Sequence, residues 1–298
     1  MDLIRFDSKD GYHLNGLLFS ANQKTNKVML AIHGMTSNCF SYRNQIIAEH
    51  INKKGIDYCI FNNRGHDIVS YITRRKEQQS ETKIAGTAYE DITESIFDIE
   101  GAIEFLLLQG YTDIYLQGHS LGCTKIVYSY EEFLRNQNQT MLQPIKAILL
   151  LSLIDIPGVQ KIYLGDKFDS FLELAKKRKE KNELMPKESF IHPISARTYL
   201  RYFKDNELLQ FANYSEETNF KELNNISVPL FMRWGNLQEL IVQDAEELCN
   251  LLRKKITNPK LDVGYIEGAN HNYSGKEIEL AKQINIFIEN LNENKKGT

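Results

Sequence analysis

The chain has 298 residues, enough for one large α/β domain or two ordinary domains, and its 42% hydrophobic residues are typical of globular proteins. Its 36 basic and 39 acidic residues give a formal net charge of −3, which indicates neither nucleic acid nor an anionic membrane as a partner. The first residues lack the pattern of a signal peptide, and the apolar runs are too short to cross a bilayer, so we expect a cytoplasmic protein without a membrane span.

The first part of the chain predicts strands and one helix. Asp10-Gly11 is a hairpin turn signal between the first two strand-like runs. Apolar spacing at 41–54 predicts a helix that Gly55 ends. The polar segment 70–88 is interpreted as a long loop. The strand-like runs are 3–6, 12–19, 27–32 and 56–61.

The middle of the chain alternates between helices and strands. Apolar residues recur at three- and four-residue steps from Ile92 to Leu107 and predict an amphipathic helix that ends at Gly110. A strand at 113–117, a helix-like run at 124–134 and a buried strand at 144–154 follow. This alternation predicts a mostly parallel sheet with right-handed crossovers and helices on both faces.

A long insertion follows Ile154, the end of the sixth strand of the predicted sheet. About seventy residues precede the next strand-like run, far more than a strand-to-helix connection needs. We expect a helical cap at 155–225 over the carboxyl edge of the sheet, and a core formed by 1–154 and 226–298. The basic run 176–181 inside the insertion is interpreted as a solvated helix face.

The remaining elements are a strand at 228–234, a helix at 244–255, a strand at 260–266 and a closing helix at 276–291. Four cysteines fall inside predicted helices or strands, and no C-x-x-C pair occurs among them. We expect buried reduced thiols, with no disulfide frame and no metal site. The cysteines are Cys39, Cys59, Cys123 and Cys249.

The stretch from Gly118 to Gly122 reads G-x-S-x-G and lies between a predicted strand and a predicted helix. This is the context that a nucleophilic serine on a tight turn requires, because glycines on either side leave room where a Cβ would clash. Ser120 is therefore the candidate nucleophile. The amide of Leu121, at the positive end of the helix, would face the charge that develops on a substrate carbonyl.

Five loops with polar or glycine-rich residues fall at the carboxyl ends of predicted strands, the edge where open parallel sheets bind ligands. The last of these loops contains His271, which lies far from Ser120 in sequence. Their order along the chain is that of a serine nucleophile followed by its histidine. We therefore predict His271 as the general base. The five loops begin at His33, Asn62, Gly118, Gly235 and Gly268.

On these stretches the chain resembles the α/β-hydrolase superfamily, serine esterase type, over nearly its whole length. His33-Gly34-Met35 resembles the H-G-x turn, which implies that the amide of Met35 joins that of Leu121 in an oxyanion hole. Asn63-Arg64-Gly65-His66 resembles the R-G-H loop. The insertion is also similar to that of fungal siderophore-ester hydrolases, through Glu183-Leu184-Met185-Pro186 and 193–197.

The catalytic acid departs from the family pattern. The G-x-x-D-x-x-V pattern after the next-to-last strand reads Gly235 to Ile241 here and places Gln238 where the resemblance implies an aspartate. A glutamine cannot hold an imidazolium as a carboxylate does. Glu239, one residue later, is our candidate acid. Asp155 is the alternative, although it could instead cap the turn that follows it, and Glu267 is a more distant choice.

The resemblance implies hydrolysis of an ester or thioester of a small or medium acyl substrate through an acyl-enzyme, without a metal or an organic cofactor. Two other functions stay open. An acyltransferase in a biosynthetic pathway would use the same residues, and a non-catalytic ligand-binding protein could keep the fold. The departure at Gln238 favours the binding protein, whereas Ser120, His271 and the H-G-x turn argue against it. The sequence gives no indication of an oligomeric state.

Overall fold

The computed structural model describes residues 1–76, 79–204, 210–237, 240 and 242–293. Its strands are β1 (Asp2–Asp7), β2 (His13–Phe19), β3 (Lys27–Ile32), β4 (Asp57–Phe61), β5 (Ser70–Lys76), β6 (Gln79–Ala85), β7 (Asp113–His119), β8 (Ile145–Leu151), β9 (Leu230–Gly235) and β10 (Leu261–Ile266). One sheet has the order β1-β2-β4-β3-β7-β8-β9-β10. Its pairs are antiparallel from β1 to β4 and parallel from β4 to β10, which confirms the prediction of a mostly parallel sheet.

Helices cover both faces of this sheet. Side chains of α1 and α10 pack in one apolar layer, and those of α2, α3 and α9 pack in the other, where α1 is Tyr42–Asn52, α2 Ser95–Leu108, α3 Leu121–Arg135, α9 Ala245–Lys255 and α10 Glu277–Glu293. The remaining helices are α4 (Gln139–Leu142), α5 (Ile156–Leu164), α6 (Lys167–Lys177), α7 (Ala196–Phe203) and α8 (Lys221–Asn224). Within the described ranges, no helix combines the length and the apolarity needed to span a membrane.

The central strand β3 shows why its sequence is continuously apolar. Val28, Leu30 and Ile32 pack in one layer, and Met29 and Ala31 pack in the other. All five side chains are almost completely buried. Because both faces of a parallel strand are covered by helices, neither face has polar positions, and the alternation of a half-exposed strand is absent.

The insertion after β8 contains α5, α6 and α7. Its apolar side chains form a separate cluster, which also includes Leu121 and Ile154 from the body of the protein. The later part of the insertion packs differently, because Phe211, Tyr214 and Phe220 lie in the main core on the side of α3. The helices near the sheet edge therefore have a hydrophobic cluster of their own, which joins the body at its margin.

The segment 70–88 corrects the sequence-based interpretation of a long loop, because most of it forms the hairpin of β5 and β6. Most side chains of the two strands are partly or fully exposed, and cross-strand pairs such as Arg74 with Glu81 join them. The hairpin makes a small apolar contact with the body, in which Ile72 and Ala85 pack against Tyr12. Polar cross-strand pairs can stabilise a hairpin without the alternating apolar pattern from which a strand is predicted.

Candidate active site

Ser120 lies at the junction between β7, which ends at His119, and α3, which begins at Leu121. Its backbone angles, φ 54° and ψ −124°, are rare for a residue with a side chain. Two backbone hydrogen bonds hold the turn: the Ser120 N–H donates to Leu151 O (2.8 Å), and the Cys123 N–H donates to Ser120 O (2.9 Å). Strain of this kind persists only where the surrounding structure enforces it.

Glycines allow three backbone segments to meet at this turn. A Cβ added to Gly118 would lie 2.6 Å from Cys123 Cα, and one on Gly122 would overlap the carbonyl oxygen of Ile32. A Cβ on Gly34 would lie 2.9 Å from the Cβ of Ser120. The turn after β3 therefore packs directly against Ser120, as the two sequence patterns predict.

His33 fixes the orientation of the peptide group between Gly34 and Met35. The Asn63 N–H donates to His33 Nε2 (3.2 Å), so the ring proton lies on Nδ1 and donates to Gly34 O (2.9 Å). The ring is neutral, because burial lowers the pKa of His33 to about 3. In a trans peptide the carbonyl and the next N–H point in opposite directions, so the Met35 N–H points away from the imidazole.

Two backbone N–H groups beside Ser120 are available as donors. Those of Met35 and Leu121 donate to no acceptor among the described residues. Leu121 is also the first residue of α3, where the helix dipole is positive. A pair of free amides at such a position can stabilise an oxygen that acquires negative charge.

His271 lies in the loop after β10, and its carbonyl oxygen is held by two side chains. His119 Nε2 donates to it at 3.0 Å, and Ser152 Oγ donates to it at 3.0 Å. The rings of His119 and His271 lie 5.1 Å apart between centroids. The last loop is thereby fixed to the turn of Ser120 and to the end of β8.

Burial and, to a smaller extent, the positive charge of Arg43 together lower the pKa of His271 to about 4. Arg43 is buried on α1, and its Nη1 donates to Asn272 O at 3.4 Å. At neutral pH the imidazole of His271 is therefore uncharged, the state in which it can accept a proton.

Ser120 and His271 line the same cavity, which has a volume of about 780 Å³ and lies between the sheet edge and the insertion that follows β8. Most of its wall is apolar. No lysine, arginine, aspartate or glutamate lines it among the described residues. The lining residues are Gly34, Met35, Thr36, Ser37, His119, Ser120, Ile154, Ile156, Val159, Gln160, Ile162, Tyr163, Phe190, Ile191, His192, Leu240, His271 and Asn272.

The candidate acids fall in different places. Asp155 is the N-cap of α5, where its carboxylate accepts from the Gly158 N–H at 2.9 Å, and it forms no hydrogen bond with His271. Glu267 is exposed and forms no ion pair with a described residue. Glu239 and Gln238 lie outside the described residues. The described residues on either side of them are Leu237, whose N–H donates to Ala269 O (3.0 Å), and Leu240 in the cavity wall.

The R-G-H loop stabilises the structure and does not line the cavity. Arg64 is buried and pairs with Asp98 at 2.7 Å, with Asp10 at 2.8 Å and with Glu94 at 3.0 Å. This network ties the loop after β4 to the start of α2 and to the first hairpin. The guanidinium of Arg64 therefore already forms ion pairs with carboxylates of this chain.

The cysteines and possible metal ligands lie apart from this chemistry. All four cysteines are buried and unpaired, and Cys39 lies in the turn before α1 rather than inside an element. Among the described residues, no group of three or more histidine, cysteine, aspartate or glutamate side chains is arranged to hold a metal ion.

Sequence reasoning missed His119, Ser152 and Arg43. His119 occupies the variable position of G-x-S-x-G, and the other two lie in segments without a recognisable pattern. Their contacts with the His271 loop join positions more than one hundred residues apart. Only the strand order brings them together.

No protein-family model matches the chain, and no curated protein matches it. Solved structures do resemble it. Est1E from Butyrivibrio proteoclasticus, solved with ferulic acid bound, has a TM-score of 0.67 at 17% identity, covering 96% of this chain and 98% of that one. The chain has the α/β-hydrolase fold.

Two further structures support the assignment of this fold. Mouse alpha/beta hydrolase domain-containing protein 10 has a TM-score of 0.62 at 14% identity, covering 98% of this chain and 100% of that one. A soluble variant of monoglyceride lipase from Saccharomyces cerevisiae, in complex with a substrate analogue, has a TM-score of 0.61 at 12% identity, covering 95% and 94%. The α/β-hydrolase fold thus extends over nearly all of the chain, with the helical insertion after the sixth strand of the main sheet.

Proposed function

We propose that this protein is a serine hydrolase that cleaves a carboxylic ester or thioester of a small or medium acyl substrate. One observation carries the proposal: Ser120, on its strained turn, and His271, neutral at pH 7, line one cavity. The backbone N–H groups of Met35 and Leu121, which donate to no acceptor in the described part of the chain, accompany them. A nucleophile, a base and oxyanion donors at one cavity are the parts that acyl transfer needs.

In the proposed mechanism, His271 takes the proton of the Ser120 hydroxyl as the serine oxygen attacks the substrate carbonyl. The N–H groups of Met35 and Leu121 stabilise the resulting oxyanion. The tetrahedral intermediate collapses when His271 gives the proton to the leaving alcohol or thiol, and an acyl-serine ester remains. Water, activated by His271, then attacks that ester, releases the acid and restores the Ser120 hydroxyl.

We propose Glu239 as the acid that orients His271. Asp155 is committed to the N-terminus of α5, and Glu267 is exposed. The residues that flank the 238–239 segment support Glu239, because Leu237 is bonded to the loop of His271 and Leu240 shares the cavity with it. Glu239→Gln should therefore reduce turnover by several orders of magnitude, whereas Asp155→Asn should mainly lower stability.

The insertion 155–225 is proposed to act as the cap of this site. Side chains of α5 and of the turn near Phe190 form part of the cavity wall. A cover of this kind excludes water from the reacting atoms and strengthens their electrostatic interactions. The names of the structural neighbours fit the proposal, because they include an esterase with ferulic acid bound and a monoglyceride lipase with a substrate analogue.

A fluorophosphonate probe and a series of 4-nitrophenyl esters test this proposal. We expect the folded wild-type protein to be labelled and to hydrolyse the short and medium esters, and Ser120→Ala to lose both properties. Folded wild-type protein that refuses the probe and hydrolyses none of the esters would contradict it. Product analysis with added alcohols distinguishes hydrolysis from acyl transfer, which would give a new ester instead of the free acid.

A further inference from the structure

Gln160 is a polar side chain in the apolar wall of the cavity. It lies on α5 and is only 4% exposed. The other residues of α5 in the wall are Ile156, Val159, Ile162 and Tyr163, and of these four Tyr163 alone carries a polar group, its hydroxyl. A buried amide among apolar side chains is costly unless both of its ends find hydrogen-bond partners.

The nitrogen end of this amide has a partner. Gln160 Nε2 donates to Ser189 O at 2.7 Å. Ser189 is itself fixed, because its N–H and its Oγ both donate to Pro186 O, at 2.9 and 2.7 Å. A carbonyl oxygen only accepts hydrogen bonds, so this contact identifies the nitrogen and leaves the side-chain oxygen at the other end of the amide.

The oxygen end of Gln160 accepts no hydrogen bond from any residue that the structure describes, and the residue lines the cavity. Since the residue borders the cavity and is otherwise buried, the cavity is the space into which this oxygen opens. No charged side chain shares the cavity wall in the described part of the chain. The wall therefore presents a fixed, neutral hydrogen-bond acceptor against an apolar background.

We infer that Gln160 selects the substrate, and that the substrate is an ester whose otherwise apolar acyl or alcohol part carries a neutral hydrogen-bond donor, a hydroxyl or an amide N–H. The inference rests on the proposed ester hydrolysis. A substrate without a donor would displace water from the Gln160 oxygen and leave it unpaired, which disfavours that substrate. An ammonium group is disfavoured as well, because no carboxylate among the described residues lines the cavity to compensate for its desolvation.

The test compares ethyl esters of ω-hydroxyalkanoic acids with the corresponding alkanoates and ω-methoxyalkanoates, at chain lengths of four to ten carbons. Acetate monoesters of diols of the same lengths, with their methyl ethers, probe the alcohol side. For at least one length we expect the wild-type kcat/KM for the hydroxyl ester to exceed that for its methyl ether by about tenfold or more. This comparison requires no variant and therefore does not depend on a mutant folding.

Gln160→Met keeps the length of the side chain and removes the amide. We expect it to bring the ratio of kcat/KM for the hydroxyl ester to kcat/KM for its methyl ether close to one. Val159→Ala, in the adjacent part of the wall, is the matched control and should change both esters by the same factor. Thermal unfolding of each variant checks that it is folded.

The inference is overturned if wild type prefers no hydroxyl ester at any length, or if Gln160→Met keeps the preference. Hydrolysis of plain alkanoates without any hydroxyl preference rejects the role of Gln160 and leaves the serine hydrolase intact. Absence of hydrolysis with every ester and of fluorophosphonate labelling rejects both.

Discussion

Ser120 has a backbone conformation that favours glycine over every other residue, and the glycines around it leave no room for the turn to relax. Strain of this kind costs on the order of 1–3 kcal/mol. The proposed hydrolysis accounts for this cost, because it needs the side chain of Ser120 as the nucleophile. This makes the stability of Ser120 variants informative about the turn, independently of activity.

We predict that Ser120→Ala and Ser120→Gly both reduce turnover by at least about 10⁴-fold, since each removes the nucleophile. They should differ in stability. Glycine relieves the strain at φ 54°, whereas alanine keeps it, so Ser120→Gly should be more stable than Ser120→Ala by roughly 1 kcal/mol after the entropy cost of glycine. Urea denaturation at pH 7 measures the difference, and an alanine variant that is the more stable one would contradict the strained turn.

Arg43 provides a second prediction about a single residue. Burial and the charge of Arg43 lower the pKa of His271 to about 4, so kcat/KM of wild type should stay constant from neutral pH down to about pH 5 and fall near pH 4. Arg43→Met should move this acid limb to higher pH, toward the ordinary value of 6.5, but only part of the way, because burial is the larger cause.

Arg43→Lys is the control for that experiment, because it keeps a positive charge on α1. Its acid limb should stay closer to wild type than that of Arg43→Met. A merely structural role of Arg43 would change kcat without moving the limb. Identical pH profiles for all three proteins would therefore reject the electrostatic effect.

Among the elements, the loop from Ala88 to Asp91 connects α7, a helix of the insertion, to the body. Ala88 O accepts from the Ser195 N–H at 2.7 Å, and Asp91 pairs with Arg201 at 2.9 Å. Between them, Glu90 pairs with Lys125 of α3, and both side chains are almost completely buried. The first turns of α3 are thereby linked by a buried ion pair to the loop that holds α7.

Lys125→Met should destabilise the protein by about 3–5 kcal/mol, because it leaves the Glu90 carboxylate buried without its cation. The double variant Lys125→Met with Glu90→Gln should recover much of the loss. A double-mutant cycle by urea denaturation measures the coupling. Lys254→Met is the control, since its pair with Glu216 is exposed and should change stability by less than about 1 kcal/mol. Equal losses for both lysines would contradict this account.

At the scale of the whole molecule, the sequence predicts those strands and helices whose burial follows a local repeating pattern. The apolar run of β3 and the spacing of α2 are visible in sequence because each element repeats its own burial pattern. The hairpin β5–β6 is missed, since polar cross-strand pairs hold it. Asp155 is the N-cap of α5. This agrees with the simpler of the two interpretations of Asp155, which was that it caps the turn after it.

The sequence likewise predicts only part of the candidate site. Glycine spacing and chain order indicate Ser120 and His271, and both line the cavity. The contacts that hold them, from His119 and Ser152 to the His271 carbonyl, are not visible in sequence, because their partners meet only when distant strands pair. The role of Glu239 stays a prediction.

Three histidines, the buried His33 and His119 and the partly buried His271, give the whole molecule an expected response to acid. Burial lowers the pKa of His33 to about 3, that of His271 to about 4, and that of His119 well below 6.5. In the unfolded chain each titrates near 6.5. Below that pH the unfolded state binds more protons than the folded state, so the free energy of unfolding falls as the pH falls from about 6.5 toward the folded pKa values.

Each such histidine contributes a slope of about 1.4 kcal/mol per pH unit between those limits, so three give about 4 kcal/mol per pH unit. Urea denaturation from pH 7.5 to pH 5 should show a nearly constant stability that declines with about this slope below pH 6. His119→Gln retains an N–H donor for the His271 carbonyl and should remove about a third of the slope. Equal slopes for wild type and His119→Gln would show that a buried, neutral His119 is not a source of the acid sensitivity.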